Sequence, residues 1–165
     1  MPAFLNGSAP GPDGVGETRS RVAERRPASA VGRMTRGLGL WGPVALYMAL
    51  IFGLSSQQTL PEPPGGLTDK HEHYLAYAGL STLACRAVSG GLTQVGAGGA
   101  LGGWALASLY GLTDEYHQSF VPGRTSDAYD ALADTAGAAT AAVGLWAWGI
   151  IARSRRERRS AAPPA

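Results

Sequence analysis

The chain has 165 residues, 45% hydrophobic and 16% charged, with 24 Gly, 11 Pro, one Cys and a net charge of +2. Length allows one ordinary domain. The single Cys excludes a disulfide framework or Cys-based zinc site, and so small a net charge gives no nucleic-acid footprint.

The mean hydropathy of −0.03 suggests a soluble protein only until the charges are located. Residues 1–36 are rich in Gly, Pro, Ala, Ser and Arg without periodicity, and predict a disordered cytoplasmic tail. Their apolar content begins too late for a cleaved signal peptide. Met34, next to the first apolar run, is a second possible translation start.

From Gly37 to Pro61 no residue is charged. A membrane-crossing helix needs about 20 mainly apolar residues, and Leu38–Leu54 meets that need, giving a first span over 38–56. An acidic stretch follows, with Glu62, Asp69 and Glu72. A shorter, more polar second span is expected over 72–90. It crosses with its polar first turn at the interface or with packed neighbours covering its polar face. Val95–Leu112 is uncharged and Gly-rich, giving a third span over 94–114. A second polar stretch carries Asp114, Glu115, Asp127, Asp130 and Asp134, with a Pro122-Gly123 turn signal between them. The fourth span is expected over 130–152, and the Arg-rich tail 153–165 ends the chain.

A soluble Ala/Gly-rich bundle is the alternative. Such helices carry a polar stripe at 3.6-residue period, and Leu38–Leu54 and Thr135–Ala152 have none. Small residues spaced by four, around Gly99 and Gly103 and again around Gly137 and Ala141, suit close helix contact in lipid. The expected fold is therefore all-α, an integral membrane four-helix bundle over 38–152 with two disordered tails. Basic residues stay on the cytoplasmic side. With 11 of the 14 basic residues in the tails, both ends belong inside, and both acidic stretches share the outer face.

Those stretches hold the candidate chemistry. On a helix, Asp69, His73, Tyr77 and Leu80 form one stripe. Asp114, His117 and Gln118 share a face, and so do Asp130, Asp134 and Gly137. Asp134 lies about one turn inside a span, where insertion scales place a centred Asp at roughly +2.5–3.5 kcal/mol. It requires partners: Lys70, Arg124, His73 or a shared proton. These groups either form a polar plug that fixes the helices in register or line an outward pocket. Arg124 can clamp a phosphate or carboxylate with Lys70 as a second charge, or it pairs with Asp114, Asp127 or Asp130. Three metal ligands can be drawn from Asp69, His73, Asp114, His117 and Asp130. The spacing matches no specific site and His71-Glu72-His73 is not HExxH, so no metal and no cofactor is assigned. Cys85 is expected to be a packing residue.

The chain resembles the VanZ-like family of small bacterial membrane proteins. The family's Asp-Lys-x-x-His motif, followed by Tyr and Leu, is matched by Asp69, Lys70, His73, Tyr77 and Leu80. Its Asp-Glu-x-x-Gln-x-Phe-x-Pro-x-Arg motif, followed by Asp and Asn-x-x-Gly, is matched by Asp114, Glu115, Gln118, Phe120, Pro122, Arg124, Asp130 and Gly137. Asp134 departs, standing where the family more often has Asn. The resemblance covers about residues 38–152. It implies a four-helix integral membrane protein, similar to the namesake associated with reduced susceptibility to teicoplanin-type glycopeptides.

The resulting expectation is a multi-pass protein of the bacterial inner membrane. Its pocket for an anionic amphiphile, such as a lipid-linked precursor, is built by Asp69, Lys70, His73, Tyr77, Asp114, Glu115, Gln118, Arg124, Asp130 and Asp134. If the site is catalytic, the acid–base candidates are His73, Asp114 and Asp130. The partners are the bilayer and that amphiphile, not nucleic acid. The alternatives are a non-catalytic structural or partner-binding module and, less well supported without a visible internal repeat, a proton-coupled transporter.

Overall fold

A computed structural model describes residues 30–58 and 68–161. Among these residues there are four long helices and no strand: α1 (Ala30–Ser55), α2 (Asp69–Ser89), α3 (Ala97–Gln118) and α4 (Ala128–Ala161), with a short 3-10 turn at Leu92–Gln94. Each helix covers most of one of the four expected spans, and α4 covers all of its own.

The helix ends differ from the expected ones. Residues 30–36 and 153–161 were assigned to the disordered tails, but they continue α1 and α4 as helix. Backbone hydrogen bonds propagate cheaply from an existing helix, and the Arg side chains there are good helix formers. Residues 1–29 and 162–165, the rest of both tails, and the acidic residue Glu62 lie outside the described residues.

Local signals set the ends of α2. Thr68 stands at its N-cap in extended conformation, and its backbone N–H donates to His71 Nδ1 at 3.2 Å. Asp69 and Glu72 occupy the first turn, where the helix dipole favours carboxylates. Gly90, at φ 71°, ends the helix, and Gly91 N–H reaches back to the Arg86 carbonyl at 3.0 Å, as a left-handed cap requires.

The chain runs up and down. The end of α1, the start of α2, the end of α3 and the start of α4 meet at one pole, as the Ser56–His117, His73–Asp134 and Lys70–Asp130 contacts show. Arg86 bonds the Gly39 carbonyl and Arg156 bonds Thr93 at the other pole. Helices α2, α3 and α4 pack mutually, with the α2–α4 contact the most extensive. Helix α1 lies against α2 and touches α3 only slightly.

The packing seams are narrow because they are built from small residues. Ala84, Cys85, Ala107 and Ala138 are fully buried. A Cβ on Gly137 would overlap the Tyr74 carbonyl of α2, and one on Gly103 would overlap Cys85. Close backbone approach of this kind characterises helix association in lipid. Cys85 is the packing residue expected.

Polarity is distributed the opposite way from a soluble bundle. Leu46, Leu75, Leu101, Leu109, Leu132 and Val143 point outward and are exposed, while His73, Asp114, Glu115, Gln118, Asp130 and Asp134 are buried. In water, so extensive an apolar exterior would drive association; in a bilayer it is solvated. Helices α1 and α4 are each long and apolar enough to cross a membrane. Helices α2 and α3, with 21 and 22 residues, are matched in length to a hydrocarbon core about 30 Å thick. Their buried polar residues, His73, Ser81, Asp114, Glu115 and Gln118, face their neighbours.

Candidate functional site

At the acidic pole a cavity of about 340 Å³ opens between α1, α2, α3 and the α3–α4 loop. Its polar walls carry Asp69, Glu72 and His73 from α2, Asp114 and Gln118 from α3, and Arg124 from the loop. Tyr77 lies deeper on the same stripe of α2, and Ile51, Leu54 and Ser55 of α1 close the apolar side with Ala76.

The α2 stripe falls as its spacing predicts. Asp69 is exposed, whereas His73, Tyr77 and Leu80 are buried in succession below it. His73 Nδ1 lies 3.0 Å from Asp134 Oδ1 on α4. With Asp134 ionised, Nδ1 would carry the proton in this pair, because a carboxylate without a proton only accepts. Nε2 is 3.9 Å from Asp69 Oδ1. Asp134 thus finds one of the partners its burial required. Its Oδ2 is buried without a hydrogen bond, as are Asp114 Oδ1 and Tyr77 Oη.

Lys70 points away from the cavity walls. Its Nζ bonds Asp130 at 2.7 Å and Asp127 at 2.9 Å, and lies 5.7 Å from the centre of the Tyr129 ring. Hydrogen bonding to Asp130 and then to Asp127 raises the Lys70 pKa above the usual lysine value. The Lys70 hydrogen bond also lowers that of Asp127. Lys70, expected as a second charge beside Arg124, here bridges α2 to the start of α4. Lysine is a flexible point charge, and these two carboxylates lie within its reach.

Arg124 takes none of the expected carboxylates. A tight turn sets it, with Arg124 N–H bonding the Val121 carbonyl at 3.1 Å and Gly123 at φ 85°, the geometry that favours Gly third in a type II turn. Its guanidinium donates through Nη2 and Nε to the neutral Gln118 Oε1, at 2.8 and 3.3 Å. Gln118 Nε2 in turn donates to Asp114 Oδ2 at 3.2 Å and Glu115 Oε1 at 3.4 Å. Glu115 Oε2 accepts from the Asp127 backbone N–H at 2.9 Å, which ties α3 to the start of α4.

Of the ten candidate residues, Asp69, His73, Tyr77, Asp114, Gln118 and Arg124 line the cavity. Lys70, Glu115, Asp130 and Asp134 join the hydrogen-bonded or ionic groups between the helices behind it. His117 shares the α3 end, but it stacks on Phe52 at 4.3 Å and bonds Ser56, so it fastens α1 rather than facing the cavity. Sequence reasoning did not place Glu72 or the α1 wall in the site. Glu72 follows from the helical register one residue before His73. The wall residues Ile51 and Leu54 carry no signal, since the run Leu38–Leu54 has no polar stripe to set one face apart.

Among the described residues, two groups have donors close enough for one metal ion: Asp69, His73 and Asp130, and His73, Glu115 and Asp134. The first lies within the ligand set drawn from the sequence; the second adds two residues that set lacked.

The family profile described as VanZ/LLP1 matches residues 36–151. No curated protein and no solved structure matches the chain.

Proposed function

The chain belongs to the VanZ/LLP1 family, and from that membership we propose that it binds or modifies an anionic amphiphile at the outer face of the bacterial cell membrane. In this reading all four helices cross the bilayer, both termini are cytoplasmic and the cavity faces outward. A lipid-linked precursor is the kind of ligand meant. Altered susceptibility to teicoplanin-type glycopeptides would be the cellular consequence.

One observation carries the reading. Arg124 stands at the cavity with a neutral amide as its hydrogen-bond partner, so its charge and remaining donors are available to a carboxylate or phosphate. The apolar wall of Ile51 and Leu54 lies on the side where an acyl or prenyl chain would extend. If the site is catalytic, His73 is the best placed acid–base group, since it lines the cavity and Asp134 orients its ring.

The test compares envelope lipid profiles and teicoplanin susceptibility in cells with wild-type protein, Arg124→Ala protein or none. The expected result is an anionic lipid species whose level changes on deletion, with Arg124→Ala behaving like the deletion although its protein is present and folded. An unchanged lipid profile would overturn the lipid-modifying form, and wild-type behaviour of Arg124→Ala would overturn the anion-binding one.

A structural module is the second reading. It is favoured by the Lys70–Asp130, His73–Asp134 and Glu115–Asp127 contacts, which cross-link three helices. On that reading, His73→Ala and Arg124→Ala both lose the folded protein.

A further inference from the structure

We propose that His73, Glu115 and Asp134 together bind one divalent transition-metal ion, of the Mn²⁺ or Zn²⁺ class, in the wall of the cavity. The three residues come from α2, α3 and α4, and each is more than nine-tenths buried. His73 Nδ1 is 3.0 Å from Asp134 Oδ1 and 4.0 Å from Glu115 Oε1. The donor atoms of the group all lie within 4.8 Å of one another. A point equidistant from three atoms so separated is roughly 2.4 Å from each, a few tenths of an ångström beyond a metal–nitrogen or metal–carboxylate bond. Small side-chain adjustments close that gap.

Two independent features call for a cation. Asp134 is fully buried, and its Oδ2 has no hydrogen-bond partner, a costly condition for an ionised carboxylate in an apolar interior. Charge is also out of balance behind the cavity. Asp114, Glu115, Asp130 and Asp134 are all buried, while, among the described residues, Lys70 serves Asp130 and the Arg124 guanidinium donates to Gln118. A divalent ion supplies the missing positive charge at the point where two of these carboxylates converge on the imidazole.

The donor set selects the class of ion. One imidazole and two carboxylates suit Mn²⁺ or Zn²⁺, whereas Mg²⁺ and Ca²⁺ prefer oxygen alone. The ion takes the place of the proton between Nδ1 and Asp134, so binding releases a proton and weakens as pH falls. Nε2–H then faces Asp69, the arrangement in which a carboxylate orients a metal-bound histidine.

The experiment uses the full chain in detergent, untagged, stripped with chelator and dialysed separately against Mn²⁺, Zn²⁺ and Mg²⁺. Bound metal is measured by elemental analysis, and the Mn²⁺ form by electron paramagnetic resonance. Expected are about one Mn²⁺ or Zn²⁺ per chain, little Mg²⁺, and a nitrogen coupling in the Mn²⁺ spectrum. Glu115→Gln keeps the shape of the side chain and weakens binding at least about tenfold, and His73→Ala also removes the nitrogen coupling. The His71→Ala/His117→Ala double variant binds as wild type. Absence of stoichiometric metal in the folded wild type overturns the proposal, as does binding unaffected by Glu115→Gln and His73→Ala. No amphiphile is present, so this result is independent of whether Arg124 binds an anion.

Discussion

Asp134 is held by a hydrogen bond from His73 at 3.0 Å, and removing either partner leaves the other buried without compensation. Breaking such a pair costs about 3–5 kcal/mol. Asp134→Ala is expected to lose about that much stability in a denaturant titration of the purified protein. Asp134→Asn should lose clearly less, because its amide oxygen still accepts from Nδ1–H. Equal losses in the two variants would show that the hydrogen bond is not what holds His73. At this scale the sequence is informative about need and silent about choice. The depth of Asp134 in an apolar run is enough to demand a partner. Selecting His73 over Lys70 or Arg124 requires the rotation of α2 against α4, which depends on packing between distant segments. Arg124 illustrates the same limit: Gln118, six residues away, satisfies it within a turn, in preference to any of the carboxylates that charge alone would favour.

Among the helices, the α2–α4 contact is close because a glycine, Gly137, faces the α2 backbone. A Cβ at Gly137 would overlap the Tyr74 carbonyl, a backbone atom that cannot rotate aside, whereas Gly144 has nothing near it. Gly137→Ala is therefore expected to destabilise the protein by about 1–3 kcal/mol, the usual cost of overpacking. Gly144→Ala should be neutral or slightly stabilising, through helix propensity. Denaturant titrations of the two variants check this, and an equal effect at both positions would disprove a close-contact role for Gly137. The positions of the four helices were legible because apolar runs and charge breaks mark them directly. Their ends were not: residues 153–159 look like a solvated basic tail, yet they extend α4 without interruption. Charge marks where a helix leaves the hydrocarbon layer, not where its backbone hydrogen bonds stop.

The molecule as a whole has a basic pole and an acidic pole. Arg86, Arg153 and Arg156 mark one, and the cavity, Lys70 and its carboxylates mark the other. At the basic pole, Arg155, Arg156 and Arg159 flank a cleft with Trp148 and Ile151, an amphipathic lining suited to the headgroup layer. On the proposed topology, the positive-inside rule would put Arg124 outside and Arg155 inside. Single cysteines test this orientation in intact cells. A membrane-impermeant maleimide should label Ser126→Cys and leave Ser154→Cys unlabelled until the cells are opened. The native Cys85, fully buried, contributes no background. The reverse pattern would turn the cavity inward. The polarity of the bundle could be read from the sequence because charge is confined to its ends. The cavity could not, since it forms where α1 meets the polar ends of α2 and α3, segments distant in sequence.

The cavity is divided between two kinds of structure. The ionic groups are borne by the mutually braced α2, α3 and α4 and the loop between the last two, while α1 supplies an apolar partition with few attachments. Substitutions at Ile51 or Leu54 change the width and contour of that partition while leaving every hydrogen bond behind Arg124 in place. If the proposed amphiphile binds there, its head and tail would be read by separate parts of the chain, and a lineage could retune the hydrocarbon it accepts while keeping the groups that hold the charge.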